Sequence, residues 1–331
     1  MSPSLDIGII TSIDILDESE WDAIVSACGA PVFYRHRYLR SYARSPLTAV
    51  KLFRYLVVRE HGRPVAVLPL SLIDGLDPLG QLGARYPVTG AERGLLSHVW
   101  HCYDAWLPGA RHLAAVVEAM RGLAVELGAE WYGFVNVAHD SPLREGLIGL
   151  GFPAEHIEDR FRLDLRGLPD PFVHATAKAR INLRRGRRRA AEAGVWQRVG
   201  VAAEADLMEI GRLCAVTAAR HGTGGFYPPE LFAEFVTGLG DLALAIEIRQ
   251  EERLIAAGVV LRDGRRFHAW ACGVDYDVKG GFSPYALLHA ATAEQAVHEG
   301  CEVLEGGRGN ATFKLRHGLS RLGLDACLLR A

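Results

Sequence analysis

Two stretches from the first half of this chain return, in the same order, in the second. RPVAVLPL (63–70) is matched by RLIAAGVV (253–260), and AVELGAEWYG (124–133) by AVHEGCEVLE (296–305). A repeat of that length means that one supersecondary unit has been built twice, so the fold must satisfy both copies. Each half reads as a strand hairpin, an amphipathic helix and a buried strand, which is a duplicated α/β unit rather than an all-helical or all-strand chain. At 331 residues and 49% hydrophobic, the chain can give each copy its own core.

The local signals agree with that plan. In DESEWDAIVSACG, Asp17 and Glu20 form a capping box, Trp21, Ile24, Val25 and Cys28 make an apolar stripe, and Gly29 stops the helix. KLFRYLVVREHGRPVAVLPLSL predicts two strands around a His61-Gly62 turn. GARHLAAVVEAMRGLAVELG predicts a helix that buries Leu113, Val116, Val117, Met120, Ala124 and Leu127, with the strand AEWYGFVNV after it. In the second half three strands turn at Gln250-Glu251 and Asp263-Gly264. A helix capped by Ser283, with Pro284 first, then leads to the strand CEVLEGG. LPDP follows a closing strand at 161–165 and precedes a helical stretch at 174–193, so the two units are expected at 1–169 and 170–331.

Charge bounds the partners. A net charge of −2 gives no global reason to expect nucleic acid or a membrane surface, and no apolar run reaches the roughly 18 residues of a spanning helix. The acidic N-terminus lacks a basic signal region, and six scattered cysteines read as free thiols, so a cytoplasmic protein is expected. His98, His101 and Cys102 lack a complementary second cluster, so no metal is expected.

Three segments concentrate chemistry. KARINLRRGRRRAAEAG packs Lys178, Arg184, Arg185, Arg188 and three further arginines into a helix, either as a solvated face or as a docking surface for a polyanion. In DVKGGFSPY, Lys279, Gly280, Gly281 and Ser283 lead into a helix N-terminus, where unpaired N–H groups favour an anion, although an ordinary loop has the same composition. LEGGRGNATFK sets Glu305, Arg308, Asn310 and Lys314 around glycines and is not the phosphate loop of nucleotide hydrolases. His221, in the loop AARHGTGGFYPP, is a candidate base. Of 37 basic residues only four are lysine, and Lys178, Lys279 and Lys314 all fall in these segments.

Taken in order, KARINLRRGRRRAAEAG, FHAWACGVD, PYALLHAATAEQAVHEG and LEGGRGNATFK resemble the Fem-like branch of the GNAT acyltransferase superfamily, and within it the CelD-like acetyltransferases. Their motif D-F-G-R-G-x-x-x-Y-K falls on Glu305 to Lys314, with Glu305 in place of Asp, Gly306 in place of an aromatic residue and Phe313 in place of Tyr. The likeness is strongest over about 150–318 and extends to the first half in layout and in SPLREGLIGLGF.

The resemblance implies tandem GNAT-like units, each a mixed, mostly antiparallel sheet flanked by helices, with the active site in the second. It implies acyl transfer from acyl-CoA or a carrier-protein-bound thioester to an amine, with no tightly bound cofactor. Glu305 or His221 would act as base and Tyr285 as acid. Lys279, Gly280, Gly281, Ser283, Arg308 and Lys314 would hold the donor, and Trp270, His268 and Asn310 the substrate. Two other readings stay open. One is a Fem-type aminoacyltransferase that docks tRNA through Lys178, Arg184, Arg185 and Arg188; the other is a non-catalytic binding protein on the same fold.

Overall fold

The computed structural model describes residues 5–76, 80–88, 90–97, 101–102 and 104–331. The chain divides into one unit of Met1–Asp159 with Leu322–Ala331, and a second of Arg160–Arg321.

In the first unit β1 (Leu5–Ile10) is followed by α1 (Glu18–Ala27) and α2 (His36–Arg44). The strands β2 (Leu52–Glu60) and β3 (Arg63–Asp74) form the expected hairpin, with His61 at φ 50° and Gly62 at φ 78°. Two positive φ angles in a two-residue loop match the twist of paired strands. Asp17 caps α1 as its spacing predicts, its carboxylate accepting from Glu20 N at 2.9 Å. The strand β4 (Arg93–Ser97) pairs antiparallel with β3, and the helix α3 (Leu113–Glu126) carries the chain over to β5 (Trp131–Ala138), parallel to β4. All eight residues of β5 are buried. Along α3 the buried set is Leu113, Val116, Met120, Leu123 and Ala124; Leu123 takes the place expected of Val117 and Leu127, which are half-buried. The short helix α4 (Pro142–Gly149) follows.

The second unit repeats this order. The strand β6 (Glu155–Asp164) leads to the basic helix α5 (Ala177–Glu192), then β7 (Val195–Val201), α6 (Leu207–Arg220) and α7 (Pro229–Leu239). The strands β8 (Ala243–Gln250), β9 (Arg253–Asp263) and β10 (Arg266–Val274) run antiparallel. The helix α8 (Pro284–His298) then crosses to β11 (Val303–Arg308), parallel to β10. The turn after β8 falls at Glu251-Glu252, one residue later than expected, because Glu251 takes the left-handed conformation at φ 51°. Phe161, Leu163, Ile246, Ile255, Val260, Phe267, Leu288 and Leu304 are among the residues of this unit's core.

Where the second unit ends differs from the sequence reading. After α9 (Ala311–Arg316) the last strand β12 (Ser320–Arg330) pairs antiparallel with β5 of the first unit, while β6 pairs antiparallel with β11 of the second. Each unit thus takes its sixth strand from the other half of the chain. Unmet backbone groups along β5 and β11 need a partner, and local patterning does not say which strand supplies it.

Candidate active site

The site lies wholly within the second unit. An open cavity of about 880 Å³ is lined by α5, the start of α8, and the segment from Asn310 through α9 to His317. Its wall carries Lys178, Arg185, Arg189 and Arg316 and, among the described residues, no acid. The start of α8 also supplies a partial positive charge, because its first N–H groups have no partner within the helix.

Local sequence builds that entrance. Ser283 Oγ accepts from Ala286 N at 3.3 Å and Pro284 takes the first helical position, so the helix begins abruptly. Gly281 turns the loop at φ 70°, and Arg189 Nη1 donates to its carbonyl at 2.9 Å, tying α5 to the loop.

Beyond the cavity the GGRGN segment leaves the sheet through a bulge between Glu305 and Arg308. Gly307 sits at φ 69° and Asn310 at φ 49°. A Cβ at 306 would meet Leu319 Cδ2 at 2.4 Å, so glycine here makes room for the buried Leu319. Lys314, 3% exposed, donates from Nζ to Gly307 O at 3.1 Å and Arg308 O at 2.6 Å, and so clasps the bulge from within.

Comparison with known proteins gives these features a context. The acetyltransferase (GNAT) domain family matches residues 177–315. That match covers less than half of the chain. Solved structures extend the fold likeness over the whole chain. FemX is 11% identical with a TM-score of 0.66 and 96% of each chain covered. A tandem GNAT protein from the clavulanic acid biosynthesis pathway is 14% identical with a TM-score of 0.57, covering 99% of this chain and 98% of that one. The C-terminal domain of a putative lysylphosphatidylglycerol synthetase from Agrobacterium fabrum is 13% identical, with a TM-score of 0.58 and 93% and 90% covered. The chain matches no curated protein. Its fold is that of the tandem, Fem-like GNAT proteins.

Within the matched segment the residues singled out from sequence separate into groups. Gly281, Ser283 and Asn310 line the cavity, as do Lys178 and Arg185, whereas Lys279, Gly280, Arg184, Arg188, Arg308 and Lys314 do not. Lys279 stands exposed on the loop, and Arg188 faces Glu192 at 3.6 Å. Glu305 is fully buried, accepting from Arg162 Nε at 2.8 Å and Arg160 Nη1 at 3.3 Å. Burial alone would raise its carboxyl, but Arg160, His268 and Arg162 outweigh that and hold it below the usual carboxylate range. It is an ionised carboxylate engaged by two guanidinium groups, away from the cavity wall.

Tyr285 packs against Phe313 with ring centroids 4.9 Å apart and bonds the Asn310 side chain, and burial pushes its phenol well above the ordinary value. It stands behind the cavity lining. His221 is exposed at the end of α6, with Nε2 3.2 Å from Tyr276 Oη. Trp270 belongs to an aromatic group, stacked on Phe232 at 5.9 Å and tilted against Phe235 at 5.3 Å. His268 Nε2 faces Asp263 Oδ2 at 3.0 Å inside the sheet. His98 lies outside the described residues, among which no His, Cys, Asp and Glu group is placed to hold a metal, and no helix is long and apolar enough to cross a membrane.

Two residues of the second unit were missed from sequence. His317 lines the cavity, and His289, on α8, lies behind it with ring centroids 5.5 Å apart. The available signal was the i, i+4 spacing of Phe313 and His317 at the end of α9. Those rings stack at 3.8 Å.

Proposed function

We propose that this protein is an N-acyltransferase that takes an acyl group from a phosphate-bearing thioester, acyl-CoA or a carrier-bound acyl group, and passes it to an amine. One observation carries the reading. The cavity joins four cationic side chains to the N-terminus of α8 and has no acid on its described wall, which suits the phosphates of such a donor. The GNAT match over 177–315 and the tandem GNAT fold support the reaction class. Lys178, Arg185 and Arg316 hold the phosphates, and Arg189 keeps the Gly281 turn in place while adding charge. The acyl end then lies among apolar wall residues such as Leu183, Leu287 and Phe313. Catalysis comes chiefly from holding donor and amine at contact distance.

The tRNA-dependent alternative is less favoured by the basic helix. Arg180 donates to the carbonyls of Val173 and Ala175, while Arg187 pairs with Glu294 and Arg188 with Glu192. Arg189 is turned to the cavity, as are Lys178 and Arg185. Arg180, Arg184 and Arg188 are the exposed cations of the helix that stay off the cavity wall, and two of these three are already engaged within the chain.

Purified protein supplied with acyl-CoAs, acyl-carrier proteins and a panel of amines should release free thiol, and coenzyme A alone should raise its melting temperature. Arg185→Ala should raise the KM for the donor about tenfold, the loss of roughly 1.4 kcal/mol of charge-assisted binding, with kcat little changed. Absence of both thiol release and a thermal shift sinks the reading.

A further inference from the structure

We propose that His317 is the general base of the acyl transfer, taking a proton on Nε2 from the attacking amine; this rests on the N-acyltransferase reading above. The assignment starts from its tautomer. His317 Nδ1 lies 2.8 Å from Phe313 O, and a carbonyl only accepts, so Nδ1 carries the hydrogen and the ring's lone pair is on Nε2. That nitrogen has no protein partner among the described residues, while the residue itself lines the cavity. The ring is held on two sides, stacked on Phe313 at 3.8 Å and edge-on to His289 at 5.5 Å.

The electrostatic setting favours a neutral imidazole. Burial lowers the His317 pKa. Around it stand Lys314 and Arg316 on α9 and Lys178, Arg185 and Arg189 on α5. Tyr285 and His289 lie on α8, and His174 precedes α5, packed against Gly318. Apart from the phenol and the neutral His289 these groups are cationic or titrate to cations, so they disfavour a retained proton. His289 is itself kept neutral: burial, His317 and Lys314 bring it down to about 3. A proton accepted by His317 therefore meets a neutral ring behind it, and surrounding charge that drives the proton on.

The step balances without another reactant. A neutral amine attacks the thioester carbonyl carbon, and the C–N bond forms. The attacking nitrogen, now cationic, gives one proton to His317 Nε2. The tetrahedral intermediate collapses, the C–S bond breaks, and the departing thiolate takes the proton from the imidazolium. Amide and thiol leave, and His317 returns to its neutral form.

The test is the pH dependence of kcat for wild type, His317→Gln and His317→Ala, alongside coenzyme A thermal shifts for all three. In the wild type kcat should fall along an acid limb lying below about pH 6.5, the ordinary histidine value. His317→Gln should lose about 10²–10⁴-fold in kcat, the range for a general base, and the acid limb with it. The donor KM and thermal shift should stay within about threefold of wild type, and imidazole should partly restore His317→Ala. A variant that keeps kcat and the acid limb overturns the base role and leaves the acyltransferase reading standing. A wild type with neither turnover nor a coenzyme A shift overturns both. Should the variants not fold, diethyl pyrocarbonate on folded wild type decides: carbethoxylated His317 with turnover lost in proportion supports the role, and modification with turnover retained refutes it.

Discussion

The two crossovers of this chain have the same topology and opposite interiors. In the first unit, Gly109 ahead of α3 turns at φ 89°, and a Cβ there would meet Ala66 Cβ at 2.3 Å and Val65 O at 2.4 Å. The loop is pressed onto β3, with Val67 N donating to Pro108 O at 3.0 Å. In the second, Gly281 ahead of α8 turns at φ 70°, yet the atoms nearest a Cβ there belong to the Arg189 side chain, at 2.7 Å. The repeat also aligns Gly133 with Glu305. A Cβ at 133 would meet Cys327 O at 2.1 Å, whereas position 305 holds a buried carboxylate between two arginines. At these positions one copy packs against backbone and the other against side chains, a movable one at Gly281 and charged ones at Glu305. The two copies share a scaffold and differ in what fills it.

The comparison breaks most visibly at Glu305. Glu305→Gln leaves Arg160, 2% exposed, facing a neutral amide, and removing one partner of a buried ion pair costs about 3–5 kcal/mol. Chemical denaturation should show that loss; an unchanged midpoint would mean that the arginines are satisfied elsewhere. Next come the two glycines. Both substitutions strain a positive φ; Gly109→Ala adds a backbone clash and should cost about 3 kcal/mol, while Gly281→Ala adds only a clash with the movable Arg189 side chain and should cost about 1 kcal/mol. Equal losses would erase the distinction between a closed and an open crossover.

How much of this was legible depended on the range of the interaction. The Asp17–Glu20 cap, the His61-Gly62 turn and the Ser283-Pro284 helix start are decided within four residues, and all three were readable. The origin of each sixth strand was not, because β12 pairs with β5 across more than half the length of the chain. Glu305 shows the same limit at a site: its partners Arg160 and Arg162 lie 145 and 143 residues away. Nothing near GGRGN announces that its acid is already engaged. Lys314 reads as a phosphate ligand by type, but its ammonium turns inward to two carbonyls of its own motif. His317 stood in plain view after α9, and its meaning came only with the cavity that α5 helps to close.

A smaller effect separates the helices themselves. The helix α3 buries only apolar side chains, while α8 buries His289, whose Nε2 has no hydrogen-bond partner. Burial, with His317 and Lys314, lowers its pKa from 6.5 to about 3. Between those values the unfolded chain binds a proton that the folded chain does not, so stability falls as pH drops below 6.5, by at most about 1.4 kcal/mol per unit. His289→Leu should flatten the unfolding free energy between about pH 6.5 and 4.5. If the wild-type slope persists in that variant, the proton is taken up elsewhere.

The smallest expected difference lies at the helix starts. His112 precedes α3 without a side-chain cap, whereas Ser283 Oγ caps α8 by accepting from Ala286 N at 3.3 Å. Ser283→Ala should cost about 1 kcal/mol, and Ser283→Asn, which caps equally well, should cost almost nothing. Ser283 also lines the cavity, so stability and binding can be separated at one position. If the hydroxyl touches the donor as well as capping the helix, Ser283→Asn will keep the melting temperature and still raise the donor KM. If it only caps, Ser283→Asn will match wild type in both measurements, and the anion is then held by the arginines and the backbone of α8 alone.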